Sequence, residues 1–328
     1  MTDPTLSPED VAALVDPETA AVLATVPGLG TLDDELLGKV RRQRIKLIEI
    51  EERLLSGTVT RTDIEVEPVD GDAPVSIRVH RPQDLPLDEA VPCIYWMHGG
   101  GYVLGTNRND DLRFDRWCRR FRCAGVSVEY RLAPETPYPG PLHDAYAGLR
   151  HVHAHAGELG IDPARIGVGG ASAGAGLAAG LALHARDRGE VPLAFQALIY
   201  PMLDDRMTNP STRWEVPVWN PGSNVYGWRA YLGDRFGTDD VPAYAAPARA
   251  ERLAGLPPTY ILVGTLDGFF DEDVAYAQRL NHEGVPAELH VYPGAPHGFD
   301  LFAPDTALAK RAVADLDRWL GDILGAGR

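Results

Sequence analysis

Arg165–Gly180 reads RIGVGGASAGAGLAAG, and the fold is decided by how this stretch is read. The short apolar run Ile166–Val168 has the composition of a buried parallel strand. Gly169 and Gly170 end that run, and from Ala173 onward the small residues with Leu177 predict a close-packed helix. Between strand and helix stands Ser172, in Gly170-Ala171-Ser172-Ala173-Gly174. A turn this sharp needs small flanking residues, strains the serine backbone and lifts Oγ above the sheet. The helix that follows aims its first N–H groups and its positive dipole end at the same place. Taken alone, the stretch reads equally well as a plain Gly/Ser-rich connection. The rest of the chain must decide.

Working outward, apolar runs recur at strand length on both sides. Phe195–Tyr200 (FQALIY, stopped by Pro201), Thr259–Gly264 (TYILVG) and Ala287–Tyr292 (AELHVY) follow the serine. Gly125–Tyr130 (GVSVEY) and the continuously apolar Val91–Met97 (VPCIYWM) precede it, the latter running into His98-Gly99-Gly100-Gly101. Asp63–Val69 and Val75–His80 alternate with period two, and Asp70-Gly71-Asp72 between them predicts a hairpin. Helical patterns cover Arg113–Phe121, Leu142–Leu159, the stretch from Ala173 to about Arg188, Asp271–Glu283 and Asp305–Leu324. Strands alternating with helices after an opening hairpin predict an α/β fold, a mostly parallel eight-stranded sheet flanked by helices.

Two regions fall outside that rhythm. Within residues 1–56, Ser7-Pro8-Glu9 opens one helix, and Leu36, Leu37, Val40, Leu47, Ile48, Leu54 and Leu55 mark a second on a charged background. Its Arg41, Arg42, Arg44 and Lys46 are offset by Glu49, Glu51 and Glu52, which favours a solvated face over a membrane-surface helix. Residues 203–245 scatter Trp214, Trp219, Tyr226, Trp228 and Tyr231 among prolines, glycines and asparagines.

The bulk numbers exclude some partners. A net charge of −16 disfavours nucleic acid and anionic membranes. Cys93, Cys118 and Cys123 are odd in number and form no C-x-x-C pair, which predicts a reduced, cytoplasmic setting. Asp3, Glu9 and Asp10 stand where a signal peptide would be basic, and no apolar run reaches membrane-spanning length.

A nucleophilic Ser172 would need a base, an orienting carboxylate and oxyanion donors. Each occurs just past a predicted strand, where open α/β sheets carry their sites. Asp267 follows Thr259–Gly264, His297 follows Ala287–Tyr292, and Gly99–Gly101 follow Val91–Met97. The expected chemistry is acyl transfer. His297 takes the Ser172 proton, Asp267 holds the imidazole, and the N–H groups of Ala173 and of Gly99, Gly100 and Gly101 receive the oxyanion. Each residue also has a plainer reading: a loop histidine, a turn of glycines, and an aspartate no more special than Asp271, Glu272 and Asp273, which open the next helix. The joint order after three strands favours the catalytic reading. Gly174-x-Gly176-x-x-Ala179 fits a dinucleotide fingerprint only inside a predicted helix, and no phosphate loop occurs. His151 and His155 share a helix face without a metal-binding pattern. No metal and no cofactor are expected.

Taken in order, His98–Tyr102, Tyr130-Arg131-Leu132-Ala133-Pro134-Glu135, Gly170–Gly174 and His297-Gly298-Phe299 resemble the hormone-sensitive-lipase-like bacterial esterases of the α/β-hydrolase superfamily. The stretch Tyr130–Gly170 is similar to heroin-esterase-like acetylesterases. The resemblance implies cofactor-free hydrolysis of short-chain carboxylic esters beneath a helical cap. Residues 1–56 would be the first part of that cap and 203–245 its insertion, around a catalytic domain of residues 57–202 and 246–328. It also implies structural roles for Arg131 and Glu135, pinning their loop near the glycines. Tyr102, Leu104, Trp214, Trp219 and Phe269 are candidates for the substrate pocket, and Trp228 joins them on the lid. The chain departs from the family in having Ala171 for an acidic residue and Ala175 for a second glycine. It also has Gly268-Phe269-Phe270 where Pro-Leu-Arg is usual. The expected partner is a small neutral ester, with monomer and homodimer both open. The competing readings are an amidase or carbamate hydrolase using the same residues, a non-catalytic binding protein on the same fold, and a long-chain lipase.

Overall fold

A computed structural model describes residues 6–25, 30–68 and 73–325 of the chain. Eight strands pair into one sheet: β1 (Val59–Val66), β2 (Val75–Pro82), β3 (Val91–Met97), β4 (Ala124–Glu129), β5 (Ile161–Ala171), β6 (Gln196–Ile199), β7 (Thr259–Leu266) and β8 (Ala287–Pro296). Their order is β1-β2-β4-β3-β5-β6-β7-β8. Only β2 runs against the others: it pairs antiparallel with β1 and β4, and every remaining pair is parallel. The β1–β2 pairing bears out the hairpin, although Asp70-Gly71-Asp72 lies outside the described residues.

The period-two patterns are the physical reason for two cores. Cys93, Tyr95 and Met97 of β3 face one side with Leu198 and Ile261, while Ile94 and Trp96 face the other with Ala197, Ile199, Tyr260 and Leu262. The first face is covered by α5 (Gly140–Ala154), α6 (Ala173–Arg188) and α8 (Phe270–His282), and the second by α4 (Asp111–Phe121) and α10 (Ala307–Leu324). Burying both faces is what makes β3 apolar throughout. Apolar burial of this kind contributes about 25 cal/mol per Å² and supplies most of the stability.

Several expected boundaries move. The helix expected over Leu142–Leu159 stops at Ala154, and the chain then turns through Gly157 and Gly160, the latter at φ +63°. β7 and β8 run further than expected, to Leu266 and Pro296, so Asp267 and His297 are the first residues past their strands.

Among the described residues, 1–56 and 203–245 hold two α-helices, α2 and α7, beyond the two that the apolar period and capping signals predict. α1 (Pro8–Leu14) is capped by Ser7, as expected. α2 (Pro17–Leu23) and α7 (Pro221–Leu232) begin after Asp16 and Asn220, whose side chains accept N–H groups of the first turn, with proline at the first position. α3 (Asp34–Glu51) is the charged helix. α1 and α2 dock at the far edge: Asp16 N–H donates to Gly294 O (2.9 Å), and Ala307 N–H to Glu18 (2.7 Å). The next stretch meets α7 instead. Leu32 N–H donates to Ser223 Oγ (3.1 Å), Asn220 Nδ2 to Thr31 (3.1 Å), and Tyr226 hydroxyl to Asp34 (2.7 Å). Among the described residues, no helix is long and apolar enough to cross a membrane.

Candidate active site

Ser172 joins β5 to α6 at φ +57°, ψ −123°, a conformation that a side chain rarely adopts. It is held there from both neighbours: its N–H donates to Ile199 O (2.8 Å), and its carbonyl accepts from Gly176 (3.0 Å) and Met202 (3.1 Å). The flanking glycines are a steric requirement. A Cβ on Gly170 would lie 2.4 Å from the Gly174 backbone, and one on Gly174 would lie 2.2 Å from Met97 O. Gly176 faces Met202 O in the same way, at 2.1 Å. The apparent dinucleotide fingerprint is therefore helix packing.

The three expected residues come together. Ser172 Oγ lies 2.9 Å from His297 Nε2, and His297 Nδ1 lies 2.8 Å from Asp267 Oδ2. A carboxylate only accepts, so Nδ1 carries the proton and Nε2 is free to accept from the serine. The other Asp267 oxygen accepts from Phe269 N–H (3.0 Å). Asp271, the rival carboxylate, faces away and accepts from Ser211 N–H (2.9 Å). All three residues are buried, Ser172 at 7 % exposure.

The glycine loop approaches the serine closely. A Cβ on Gly99 would lie 2.9 Å from Ala171 O and 3.5 Å from Ser172 Cβ. Gly100 and Gly101 have φ of +128° and +61°, and Val103 and Leu104 N–H both donate to Gly100 O (3.0 and 2.9 Å). Ala173 is the first residue of α6, so its N–H has no acceptor within the helix. These groups can stabilise negative charge beside Oγ.

The loop rests on a support that sequence reasoning passed over. His98 Nδ1 donates to Gly99 O (2.9 Å), Tyr130 hydroxyl donates to His98 O (2.7 Å), and the two rings stack at 4.2 Å. Burial pushes the His98 imidazole down to about 4, so it stays neutral. Arg131 and Glu135 divide the work expected of both. Arg131 grips Asp144 of α5 (2.8–3.1 Å), whereas Glu135 holds Arg41 of α3 (2.7 and 3.0 Å). Arg41 in turn donates to Val103 O and Ala133 O (both 2.9 Å), so Glu135 reaches the glycine loop only through the helix above it.

The pocket candidates separate. Tyr102 is fully buried, stacked on Tyr231 at 3.8 Å and against Trp228 at 5.6 Å, so it packs the interior rather than facing a ligand. Trp228 is equally buried in that aromatic cluster. Phe269 packs its ring on His297 (5.1 Å, 87°) and backs the base instead of lining a pocket. Leu104 closes the glycine turn, half-buried, and Trp214 is half-buried beyond it in sequence on the insertion. Trp219 lies on the glycine loop, where a Cβ on Gly101 would meet its indole at 2.2 Å. Its neighbour Val218 has φ +74° and lies 3.8 Å from where a Gly298 Cβ would be. The segment thus reaches from the histidine loop to the glycine loop. Among the described residues no cluster of His, Cys, Asp and Glu is fit to hold a metal, and His151 and His155 stack on each other at 4.1 Å.

A family model described as the alpha/beta hydrolase fold matches residues 94–301. Esterase LipI of Mycobacterium tuberculosis is 34% identical over 310 residues, 93% of this chain and 93% of that protein. Carboxylesterase NlhH of the same species is 34% identical over 328 residues, 98% of this chain and 99% of its own. Among solved structures, bacterial heroin esterase superposes with a TM-score of 0.89 at 42% identity, covering 96% of this chain and 99% of that one.

Proposed function

The chain belongs to the alpha/beta-hydrolase family, in its hormone-sensitive-lipase-like branch, and we propose that it is a carboxylic ester hydrolase working through a serine acyl-enzyme. The observation that carries this reading is the unbroken hydrogen-bonded line from Asp267 through His297 to Ser172 at the ends of three parallel strands.

In this reading Oγ attacks the ester carbon while its proton passes to His297 Nε2. Asp267 keeps the imidazole in the required tautomer and stabilises the imidazolium. The carbonyl oxygen, now an oxyanion, is held by Ala173 N–H and the glycine loop. Collapse breaks the bond to the alcohol oxygen, which takes the proton from Nε2. Water then attacks the acyl-serine by the same path, releasing the acid and restoring the Ser172 proton. The depth of Ser172 and the cover given by Trp219 and Val218 support small, neutral, short-chain esters. Residues 57–202 and 246–328 form the catalytic body, with α3 and residues 203–245 as its cover. Three free, buried cysteines support a cytoplasmic setting.

Hydrolysis of p-nitrophenyl esters from acetyl to palmitoyl, with wild type and Ser172→Ala, tests the proposal. Short-chain turnover abolished by the substitution is the expected result. A folded wild type inert on every chain length would overturn it in favour of amide hydrolysis or ligand binding.

A further inference from the structure

His297 has two hydrogen-bond partners, and only one of them is permanent. The bond to Asp267 persists through the cycle, whereas the bond to Ser172 is broken and remade each time Nε2 carries a proton to the leaving alcohol. A ring held at Nδ1 alone can swing about that contact. What keeps Nε2 aimed in the interval must be the groups packed around the imidazole.

Two aromatic rings lie against it. Phe269 has its centroid 5.1 Å away, and Tyr200 lies at 4.7 Å with an interplanar angle of 64°. Phe269 follows Asp267 by two residues and comes with the carboxylate. Tyr200 comes from elsewhere. It is the residue after β6, nearly fully buried, and it is held at φ +36°, in the region side chains avoid. Its N–H still donates to Leu262 O of β7 (2.7 Å), so the strain sits between a fixed backbone and the direction its ring must take.

The hydroxyl explains that direction. It donates to Asp300 Oδ1 at 2.8 Å. Asp300 belongs to the short helix α9 (Phe299–Phe302), three residues beyond His297 on the same loop. Its other oxygen lies 3.6 Å from Arg113 Nη2, and Arg113 is itself paired with Asp110 at 3.1 Å and spread over the Trp96 and Trp117 rings at 5.3 and 5.4 Å. The contacts form a closed circuit: His297 against the Tyr200 ring, the Tyr200 hydroxyl on Asp300, and the chain from Asp300 back to His297. Arg113 ties that circuit to α4, which covers the same face of the sheet as the Tyr200 ring. Buried charge-assisted bonds of this kind are among the stronger local restraints in a protein.

We propose that Tyr200 is a positioning residue for His297, its ring fixing the imidazole plane and its hydroxyl, through Asp300, fixing the loop that carries the base. The proposal rests on the esterase reading and adds to it a group that touches neither substrate nor the reacting atoms.

Steady-state kinetics normalised to serines titrated by a fluorophosphonate test it. Tyr200→Phe keeps the ring and frees Asp300, and should lower kcat about 3–10-fold with KM within about two-fold. Tyr200→Leu removes the ring as well and should cost about 30–100-fold. The ordering matters, since partial rescue by phenylalanine separates the two roles. Asp300→Ala, which leaves the Tyr200 hydroxyl no acceptor there, should match Tyr200→Phe, and the double variant should cost no more than either, because both cut one tether. If kcat per titrated site stays within about two-fold of wild type in Tyr200→Phe and Tyr200→Leu, or if the Tyr200→Phe and Asp300→Ala losses add, the proposal fails. Should Tyr200→Leu not fold, Tyr200→Phe with Asp300→Ala decides. A wild type that hydrolyses no ester overturns the esterase reading, an outcome distinct from an active wild type with unaffected variants.

Discussion

Asp267 and His297 are the residues immediately beyond a cross-strand pair, Leu266 and Pro296, and a shift in register puts them there. From Thr259↔Ala287 to Gly264↔Tyr292, β7 and β8 pair with a constant offset. Leu266 then pairs with Pro296, two residues further along β8 than that offset would give. The irregularity contains Gly294, at φ +75°, whose N–H donates to Thr265 Oγ1 (2.9 Å). A bulge beside a functional site re-aims side chains. Here it brings the imidazole up to the carboxylate.

Replacing the carboxylate tests that pairing. Asp267→Asn should lower kcat about 10³–10⁴-fold, because the amide no longer holds the required tautomer, while Asp271→Asn should change it little. Ester hydrolysis measured on both variants checks this, and a reversed order would assign the role to Asp271.

The bulge itself is open to test at Gly294. A Cβ there would lie 2.9 Å from Asp16 N and 3.0 Å from Leu14 O, at a backbone angle that glycine tolerates best. Gly294→Val should cost about 1–3 kcal/mol of stability and lower kcat as well. Denaturant unfolding with parallel kinetics would show both losses together.

Ser172 carries a strained backbone for the sake of its position. Ser172→Ala and Ser172→Gly should both be inactive, but the glycine variant should be the more stable, by about 1 kcal/mol, because it relieves φ +57°. Equal thermal midpoints would mean that the turn stores no strain.

Asp273 predicts a pH dependence of stability. It is fully buried, neither carboxyl oxygen has a hydrogen-bond partner, and burial first, then Glu272 and Asp267, pushes its carboxyl well above the usual range. The folded state therefore keeps a proton that the unfolded state releases above about pH 4. Stability falls as pH rises from there towards the raised folded value. Asp273→Ala should raise stability by about 1–3 kcal/mol at pH 8, with the gain shrinking near pH 4. Thermal unfolding at the two pH values measures the difference.

Trp219 covers Gly101 and should limit the size of the ester. Trp219→Ala is expected to shift the preferred acyl chain from acetyl or butyryl towards hexanoyl or octanoyl, changing the ratio of kcat/KM values about ten-fold. A uniform loss over all chain lengths would show Trp219 to be packing alone.

Much of this protein is local in its sequence. The alternation that buries β3 on both faces and the small residues around Ser172 report interactions within a few positions, as do the strand-then-aspartate and strand-then-histidine order. They sufficed for the fold class and for singling out Ser172, Asp267 and His297, which the structure brings within hydrogen-bond reach of one another. The caps Asp16-Pro17 and Asn220-Pro221 were equally legible signals for α2 and α7, hidden among residues with no clear apolar period.

Tertiary structure alone decided the rest. The two-residue shift between β7 and β8, the stacking of Tyr102 on Tyr231, Phe269 behind His297, and the bond from Tyr200 to Asp300 join residues far apart in the chain. An aromatic side chain has the same composition and spacing whether it lines a pocket or fills a core. Which it does depends on the neighbours that the closed sheet and its cover bring against it.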